Sequence, residues 1–355
     1  MKGLRKYLTP FAPDQSGAES VLYPYGGMIV ILDAGGCTGN VCGFDESRWF
    51  KERAAVFSAG LRDMDAIMGR DRELVEKLKA ASARIDARFI ALIGTPVPAV
   101  IGTDYQALKR MTEKSTGLPV LPIATNGIRL YDKGAELAYM ALFKELSEDL
   151  PEKAVKTHRI GVLGLNPLDS VSGQDARKVR MLLEKEGFSQ VSVYGMDADL
   201  EAVVRAGEAE KNLVVSPSGL KAARYLEERF GVPYDIDHPL AAGLTEAVPV
   251  SMLSGKRILI LHQQVLASSI RRRLREVLHA ETEIVCAGYF MMMPELMEAD
   301  DRELHEEDDF LGLVRDGSFD VIVADPVFKR MLPGFNGLFI PLAEPAVSGR
   351  FTEDN

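Results

Sequence analysis

The sequence predicts an α/β protein built as three doubly wound parallel-sheet lobes, and three observations carry that expectation. Short runs rich in Val and Ile recur along nearly the whole chain, as buried strands of parallel sheets do. Between them lie longer segments with apolar residues at three- and four-residue spacing and charges between, the pattern of amphipathic helices. Two charged or turn-rich breaks, at 149–156 and 248–255, divide the alternation into three groups. The expected lobes are residues 1–152, which carry a cysteine-bearing loop, 153–252 and 253–355.

Element by element, strands are expected at Gly27–Asp33, Arg88–Gly94 and Pro119–Thr125 in the first lobe. Arg159–Leu165, Val191–Tyr194 and Asn212–Ser216 follow in the second, and Lys256–His262, Glu283–Cys286, Asp320–Asp325 and Gly337–Pro341 in the third. Helices are expected over Asp71–Ile85, Asp104–Ser115, Gly134–Leu146, Gln174–Glu186, Ser218–Phe230 and Val265–Val277. Because strands and helices alternate, each lobe reads as an open parallel sheet. Ligands of such sheets bind beyond the carboxyl ends of the strands, so residues just after each strand are the first to search.

Composition removes several classes of function. Hydrophobic residues make up 46% and charged residues 26% of 355, ordinary values for a soluble globular chain. Lys and Arg total 42 against 52 Asp and Glu, a formal charge of -10, which argues against a nucleic-acid partner because phosphate-binding surfaces need cationic excess. No run approaches the roughly 18 apolar residues of a membrane span, and the first residues lack the apolar centre of a secretory signal. Only Cys37, Cys42 and Cys286 are present, too few and too odd for a disulfide framework and consistent with a reducing, cytoplasmic location.

After the first expected strand comes Asp33-Ala34-Gly35-Gly36-Cys37-Thr38-Gly39-Asn40-Val41-Cys42-Gly43. Gly35, Gly36 and Gly39 allow backbone amides to approach a ligand closely, which marks them as cofactor-binding candidates. The plainer alternative is a tight strand-to-helix turn carrying two small apolar thiols. A nucleotide site is not indicated, since the phosphate loop G-x-x-x-x-G-K-[ST] occurs nowhere in the chain.

These residues resemble a known family. Gly35-Gly36-Cys37-Thr38-Gly39, then Arg53 to Ser58 and a charged helix through Glu73–Lys77, are similar to the start of nitrogenase component 1 type subunits. That family includes cofactor-assembly scaffolds and the dark-operative protochlorophyllide reductase. Ile101-Gly102-Thr103-Asp104 resembles its Ile-Gly-Asp-Asp turn, and Gly117 to Val120 with Thr125-Asn126-Gly127 resembles its next strand and glycine. Gly164-Leu165-Asn166, 182–187, 212–215 and 226–234 resemble its second lobe, and Gly255-Lys256-Arg257 the opening of its third. The resemblance spans residues about 10 to 350 and implies the same three-lobed fold.

Carried over residue by residue, it implies that Cys37 is an iron-sulfur ligand. The family's earlier cysteine falls near Phe11 or Ala12 and its later one at Pro96, and neither can hold iron. The cysteine that carries the nitrogenase cofactor aligns with Ser216, in Val215-Ser216-Pro217-Ser218-Gly219, so Ser216 is a cofactor-site candidate without a thiolate and dinitrogen reduction is not implied. Cys42 has no strict counterpart, and its candidacy as a metal ligand rests on proximity to Cys37. Asp45 is a further oxygen donor by analogy with one branch of the family. The resemblance also implies a 4Fe-4S type cluster at a dimer interface, either in a homodimer or in a heterodimer with a sister subunit. Electrons would come from a separate ATP-dependent iron-sulfur reductase. No catalytic residue follows from it.

Other features have plainer readings. Cys286 reads as a buried structural thiol, and His238 and His262 as hydrogen-bonded residues near a cleft. Met291-Met292-Met293 reads as core filling or a subunit contact, and the acidic stretch 300–309 as a solvated helix face. Tyr23, Tyr25, Phe44 and Trp49 flank the cysteine loop and either shield a cluster or pack a subunit interface. Three functions remain open on the sequence: an electron-accepting oxidoreductase subunit, a scaffold for a metallocofactor or tetrapyrrole, and a small-molecule binder with inert cysteines.

Overall fold

The computed structural model describes residues 5–45, 55–149, 157–246, 249–278 and 281–349. Its strands form three separate sheets in which every pairing is parallel. The first contains β1 (Met28–Ile31), β2 (Ala55–Ser58), β3 (Ile90–Ile93) and β4 (Val120–Ile123), in the order β2-β1-β3-β4. The second contains β5 (Thr157–Leu163), β6 (Gln190–Val193), β7 (Ala209–Val214) and β8 (Tyr234–Ile236), ordered β6-β5-β7-β8. The third contains β9 (Arg257–Leu261), β10 (Glu283–Gly288), β11 (Arg302–Glu303), β12 (Val321–Ala324) and β13 (Leu338–Pro341), ordered β11-β10-β9-β12-β13. Each sheet winds outward in both directions from its first strand, the expected doubly wound α/β class.

The central strands are continuous apolar runs because helices cover both faces; all four residues of β1, β3 and β12 are buried. Three strands escaped the sequence reading: β2, β8 and β11. All lie at sheet edges, where one or both faces are open and the apolar signal fades; β11 has two residues, both exposed.

The chain also forms an unexpected helix, Asp14–Leu22, every residue of which is buried. With Asp14, Gln15, Ser16, Glu19 and Ser20 among nine residues, it shows no amphipathic stripe to read. It lies against the long helix Tyr131–Leu146 at a backbone-to-backbone crossing. A Cβ on Gly17 would come within 1.8 Å of the Tyr131 carbonyl oxygen, and one on Gly134 within 1.7 Å of the Asp14 carbonyl oxygen. The Asp14 carboxylate fixes the crossing by accepting the amides of Asn126 at 2.9 Å and Gly127 at 2.7 Å, just beyond β4.

The long helix joins the lobes. Its Ala135, Ala138, Tyr139, Leu142 and Phe143 sit in one apolar core with Ile29 and Ile93 of the first sheet and Leu163 and Val214 of the second. The Tyr139 hydroxyl lies 3.0 Å from the carbonyls of both Leu165 and Tyr194. At its start, the Tyr131 hydroxyl donates to Asp169 and the Asp132 carboxylate accepts the Met291 amide of the third lobe.

Two expectations need correction here. Tyr23 and Tyr25 are buried within the chain, and the Tyr25 hydroxyl accepts the Gly195 amide at 2.8 Å, closing the contact between the first two lobes, so neither is free to line a subunit interface. The acidic stretch is not wholly solvated. Asp301 is buried in a two-pronged pair with Arg271 at 2.6 and 3.0 Å, and Glu307 accepts the amides of Lys6, Tyr7 and Leu8. Cys286, Met292 and Met293 are buried as expected.

Because backbone fills the space over Gly134, Gly134→Ala is expected to destabilise the protein by about 1–3 kcal/mol through forced separation of the two helices. Gly173, with open space over its Cα, provides the control: Gly173→Ala should stay within about 0.5 kcal/mol. Denaturant unfolding of the two variants checks the difference.

Candidate functional site

The doubly wound order places a crevice in each sheet where the winding reverses, between β1 and β3, β5 and β7, and β9 and β12. The cysteine loop occupies the first. Asp33, buried at the end of β1, accepts the Thr38 amide at 2.8 Å, the Thr38 hydroxyl at 3.0 Å and the Ser58 hydroxyl from the end of β2 at 2.6 Å. These bonds fix the turn through Gly35, whose φ of 114° is costly for any residue with a Cβ. A short helix, Gly36–Asn40, follows and widens into a π-helical turn over Val41–Asp45. Thr95 bonds the Leu32 carbonyl at 2.7 Å and Thr125 the Gly94 carbonyl at 2.7 Å, tying the ends of β1, β3 and β4 together.

Cys37 is half-buried against the core shared by the first two lobes, and Cys42 is exposed. Among the described residues nothing stands within 4 Å of a Cβ built on Gly36, Gly39 or Gly43, so the described part of the loop is open at its glycines. Burial, and then the Asp33 carboxylate, push the Cys37 thiol up. Burial, followed by Glu19 and Asp33, pushes Cys42 up to about 11. Neither is an activated nucleophile in the metal-free protein. The side chains of Phe44 and Asp45, and Trp49 altogether, lie outside the described residues.

This donor set can be tested against an iron-sulfur cluster. Cysteine thiolates are the right donors, and the open glycine face admits a bulky group. The number is short: a cubane takes four thiolates and the loop offers two. Asp33 is already spent on Thr38 and Ser58, and among the described residues no three of His, Cys, Asp and Glu are grouped to hold a metal ion. The loop therefore fits half of a shared cluster site.

The surroundings of the loop are unusually apolar. The helix Pro96–Ile101 leaves the end of β3 with Val97, Val100 and Ile101 exposed, Val100 at 86%. Ile128, beyond β4, is 82% exposed, and the neighbouring helix Asp63–Met68 exposes Met64 and Met68. Gly127 touches Pro96, so these segments adjoin along the rim of strand ends that also carries the cysteines.

Ser216 belongs to the second crevice, apart from the cysteine loop. It is buried after β7, with its hydroxyl 3.0 Å from the Gly164 carbonyl and 2.7 Å from the Ser218 hydroxyl. His262, in the third crevice, accepts the Gln263 amide at Nδ1 and donates from Nε2 to the Ala343 carbonyl at 3.0 Å; burial holds it neutral, down to about 4. His238 is likewise buried, lowered to about 3 first by burial and then by His262. Sequence reasoning missed the carboxylates of this region, Asp132, Asp169, Asp325 and Glu344. Only Asp325, the last residue of an expected strand, carried a positional signal.

Comparison with known proteins agrees with this geometry. The family model described as nitrogenase component 1 type oxidoreductase matches residues 14–248. The nitrogenase iron-molybdenum cofactor biosynthesis protein NifE of Clostridium pasteurianum is 27% identical over 180 residues, 50% of this chain and 38% of that protein. NifE of Sinorhizobium fredii is 27% identical over 247 residues, 66% of this chain and 48% of that one. The nitrogenase molybdenum-iron protein alpha chain of Methanosarcina barkeri is 24% identical over 177 residues, 49% and 32% of the two chains. The chain thus spans about half or less of these relatives. A solved structure of nitrogenase Cp1 at pH 6.5 superposes with TM-score 0.71 at 16% identity, covering 96% of this chain and 87% of that one, which establishes the shared fold.

In metal-free protein, exposed Cys42 should be the first thiol alkylated by iodoacetamide, with a rate that climbs to about pH 11 rather than levelling near the ordinary thiol value of 9.0. Cys286, buried and raised to about 12, should react only after unfolding. Mass spectrometry of the adducts across pH checks both.

Proposed function

This chain belongs to the nitrogenase component 1 type oxidoreductase family, and from that premise we propose that it is a subunit that holds one side of an iron-sulfur cluster at a dimer interface. The observation that carries the reading is the pairing of Cys37 and Cys42 on an open glycine-lined turn with an exposed apolar rim, Val97, Val100, Ile101, Ile128, Met64 and Met68, alongside. Burying such a rim against a second chain is favourable at about 25 cal/mol per Å2. The same contact would bring the missing thiolates, from a second copy or from a sister subunit. A cluster bound there would supply one-electron transfer.

The chain's own residues define what the site would do. Asp33, Thr38 and Ser58 hold the turn in shape, and Gly36 and Gly39 leave room for the partner. Cys37 would contribute the inner sulfur and Cys42 the outer one. A separate ATP-dependent iron-sulfur reductase is the proposed electron source, since the chain has no phosphate loop of its own. The substrate is not dinitrogen in this reading, because Ser216 offers a hydroxyl already committed to Gly164 where a soft thiolate would be needed to hold iron.

A second reading has its own support. Several of the similar proteins are NifE cofactor-biosynthesis proteins, which favours a scaffold that holds a metallocofactor, or a tetrapyrrole, without turnover. Reduction of the bound cluster by an ATP-dependent iron-sulfur protein supports the electron-accepting subunit, and its absence supports the scaffold.

Anaerobically isolated protein should contain iron and inorganic sulfide, absorb broadly in the visible, and bleach on reduction. Cys37→Ala should remove the iron and shift the protein towards monomer in sedimentation. Cys42→Ala should do the same if two copies share the cluster, and should retain iron if a sister subunit supplies the remainder. A fully loaded monomer, or unchanged iron in Cys37→Ala, would overturn the interfacial site.

A further inference from the structure

The second and third crevices meet at a buried seam, and the seam is rich in carboxylates. The Gln263 side chain donates to the Val215 carbonyl at 2.9 Å and the Ala346 amide to the Leu168 carbonyl at 3.1 Å, bonding the third lobe to the second. Beside these bonds Asp169 accepts the Tyr131 hydroxyl at 2.5 Å and the Asn166 amide at 2.6 Å. Glu344, 2% exposed, has an oxygen without a hydrogen-bond partner. That oxygen stands 3.9 Å from His262 Nδ1, which carries no proton because it accepts the Gln263 amide. Glu344 feels the charges of Asp325 and Asp169.

We propose that Asp169 and Glu344 hold a proton that keeps the crevice between the second and third lobes shut, and that its release opens that crevice. The argument is one of charge. The groups facing Asp169 are Tyr131, Asp132, Asn166 and Ser216; those facing Glu344 are His262, Gln263, Asp325, Asp169, Tyr131 and Tyr289. All are acidic or neutral. Among the described residues no Lys or Arg pairs with Asp132, Asp169, Asp325 or Glu344. Several anions in a dry seam without a counter-cation are untenable, so protonation is the available relief. Burial first, and Asp132 among the charges, raise Asp169 to about 7, and burial, then Asp325 and Asp169, raise Glu344 well above the ordinary range.

The sign follows from linkage. Both groups titrate higher in the closed form than when solvated, so the closed form is fully favoured below the ordinary carboxylate value of 3.8. That advantage is lost as pH rises, for Asp169 up to about 7, and Glu344, raised in the same direction, adds to the loss. Opening frees Gly164, Ser216 and Ser218 at the strand ends where open parallel sheets take ligands.

Hydrogen exchange on the full chain tests this at two amides, that of Ala346, which crosses the seam, and that of Met291, which ties the third lobe to Asp132 beside it. Their protection factors should fall between about pH 4 and 7, by up to about tenfold per pH unit for each group titrating. The fall should be shallower in Asp169→Asn and in Glu344→Gln. Infrared difference spectra at pH 6 should show a protonated-carboxyl band in the wild type that Glu344→Gln diminishes, which decides the matter even where Asp169→Asn does not fold. Protection independent of pH, a wild-type slope in both variants, absence of the band, or protection restored by potassium or calcium at constant pH would each overturn the proposal.

Discussion

The crossing of the Asp14–Leu22 and Tyr131–Leu146 helices at Gly17 and Gly134 is the contact on which the rest of the architecture depends. Two helices can approach backbone to backbone only where neither carries a side chain at the crossing. Here the carbonyls of Tyr131 and Asp14 occupy the places that those side chains would take. This depth fixes Tyr131 and Asp132, at the start of the long helix, where they reach the second and third lobes, and Tyr139, two turns on, where it reaches Leu165 and Tyr194. A shift of one ångström at the crossing would misplace all of them together, because core packing and hydrogen-bond geometry tolerate little change in separation.

The lobes are joined by two kinds of contact with different physical behaviour. The first two share a continuous apolar core, running from Ile29 and Ile93 through the long helix to Val214 and Leu226. The strength of that apolar contact scales with area removed from water, and the Glu136–Lys221 ion pair at 2.8 Å spans the same two lobes. The third lobe is held by an aromatic group, Phe11, Tyr131, Tyr289 and Phe290, and by the carboxylate seam beside it. The aromatic contacts position the lobe; the seam makes its attachment sensitive to charge. On the proposed switch the molecule adjusts towards lobe three, while the shared apolar core keeps lobes one and two together.

Sequence periodicity was enough to place the central strands, since β1, β3, β5, β9, β10 and β12 are buried runs with charged or turn-forming neighbours. It failed at sheet edges, where β2, β8 and β11 have little apolar burial to announce them. It failed also for the Asp14–Leu22 helix, whose polar residues are buried, Asp14 because the Asn126 and Gly127 amides satisfy it. The cysteine loop was legible because glycine density and thiols are local signals. The carboxylate seam was not, since Asp132, Asp169, Asp325 and Glu344 are far apart in sequence and meet only through the topology. The same limit explains Tyr23 and Tyr25, which local position left between shielding a cluster and lining an interface and which tertiary packing buries in the core.

The chain treats its two unusual regions in opposite ways. At the seam, polar groups are buried within one polypeptide, and neutrality must be reached internally, by protons or by hydrogen bonds. At the cysteine rim, the scaffold is complete down to the last bond, since Asp33 accepts from Thr38 and Ser58, while the groups it supports remain open: two thiols, three glycines with nothing over them, and apolar side chains up to 86% exposed. A fixed backbone beneath unsatisfied donors and uncovered apolar surface is the condition for binding without a large ordering cost, because the entropy of the turn has already been lost in folding. On the proposed reading the rim is preorganised for a ligand and a second surface together, and neither alone would cover it: a cluster would lack thiolates, and a bare protein contact would leave the two thiols unused.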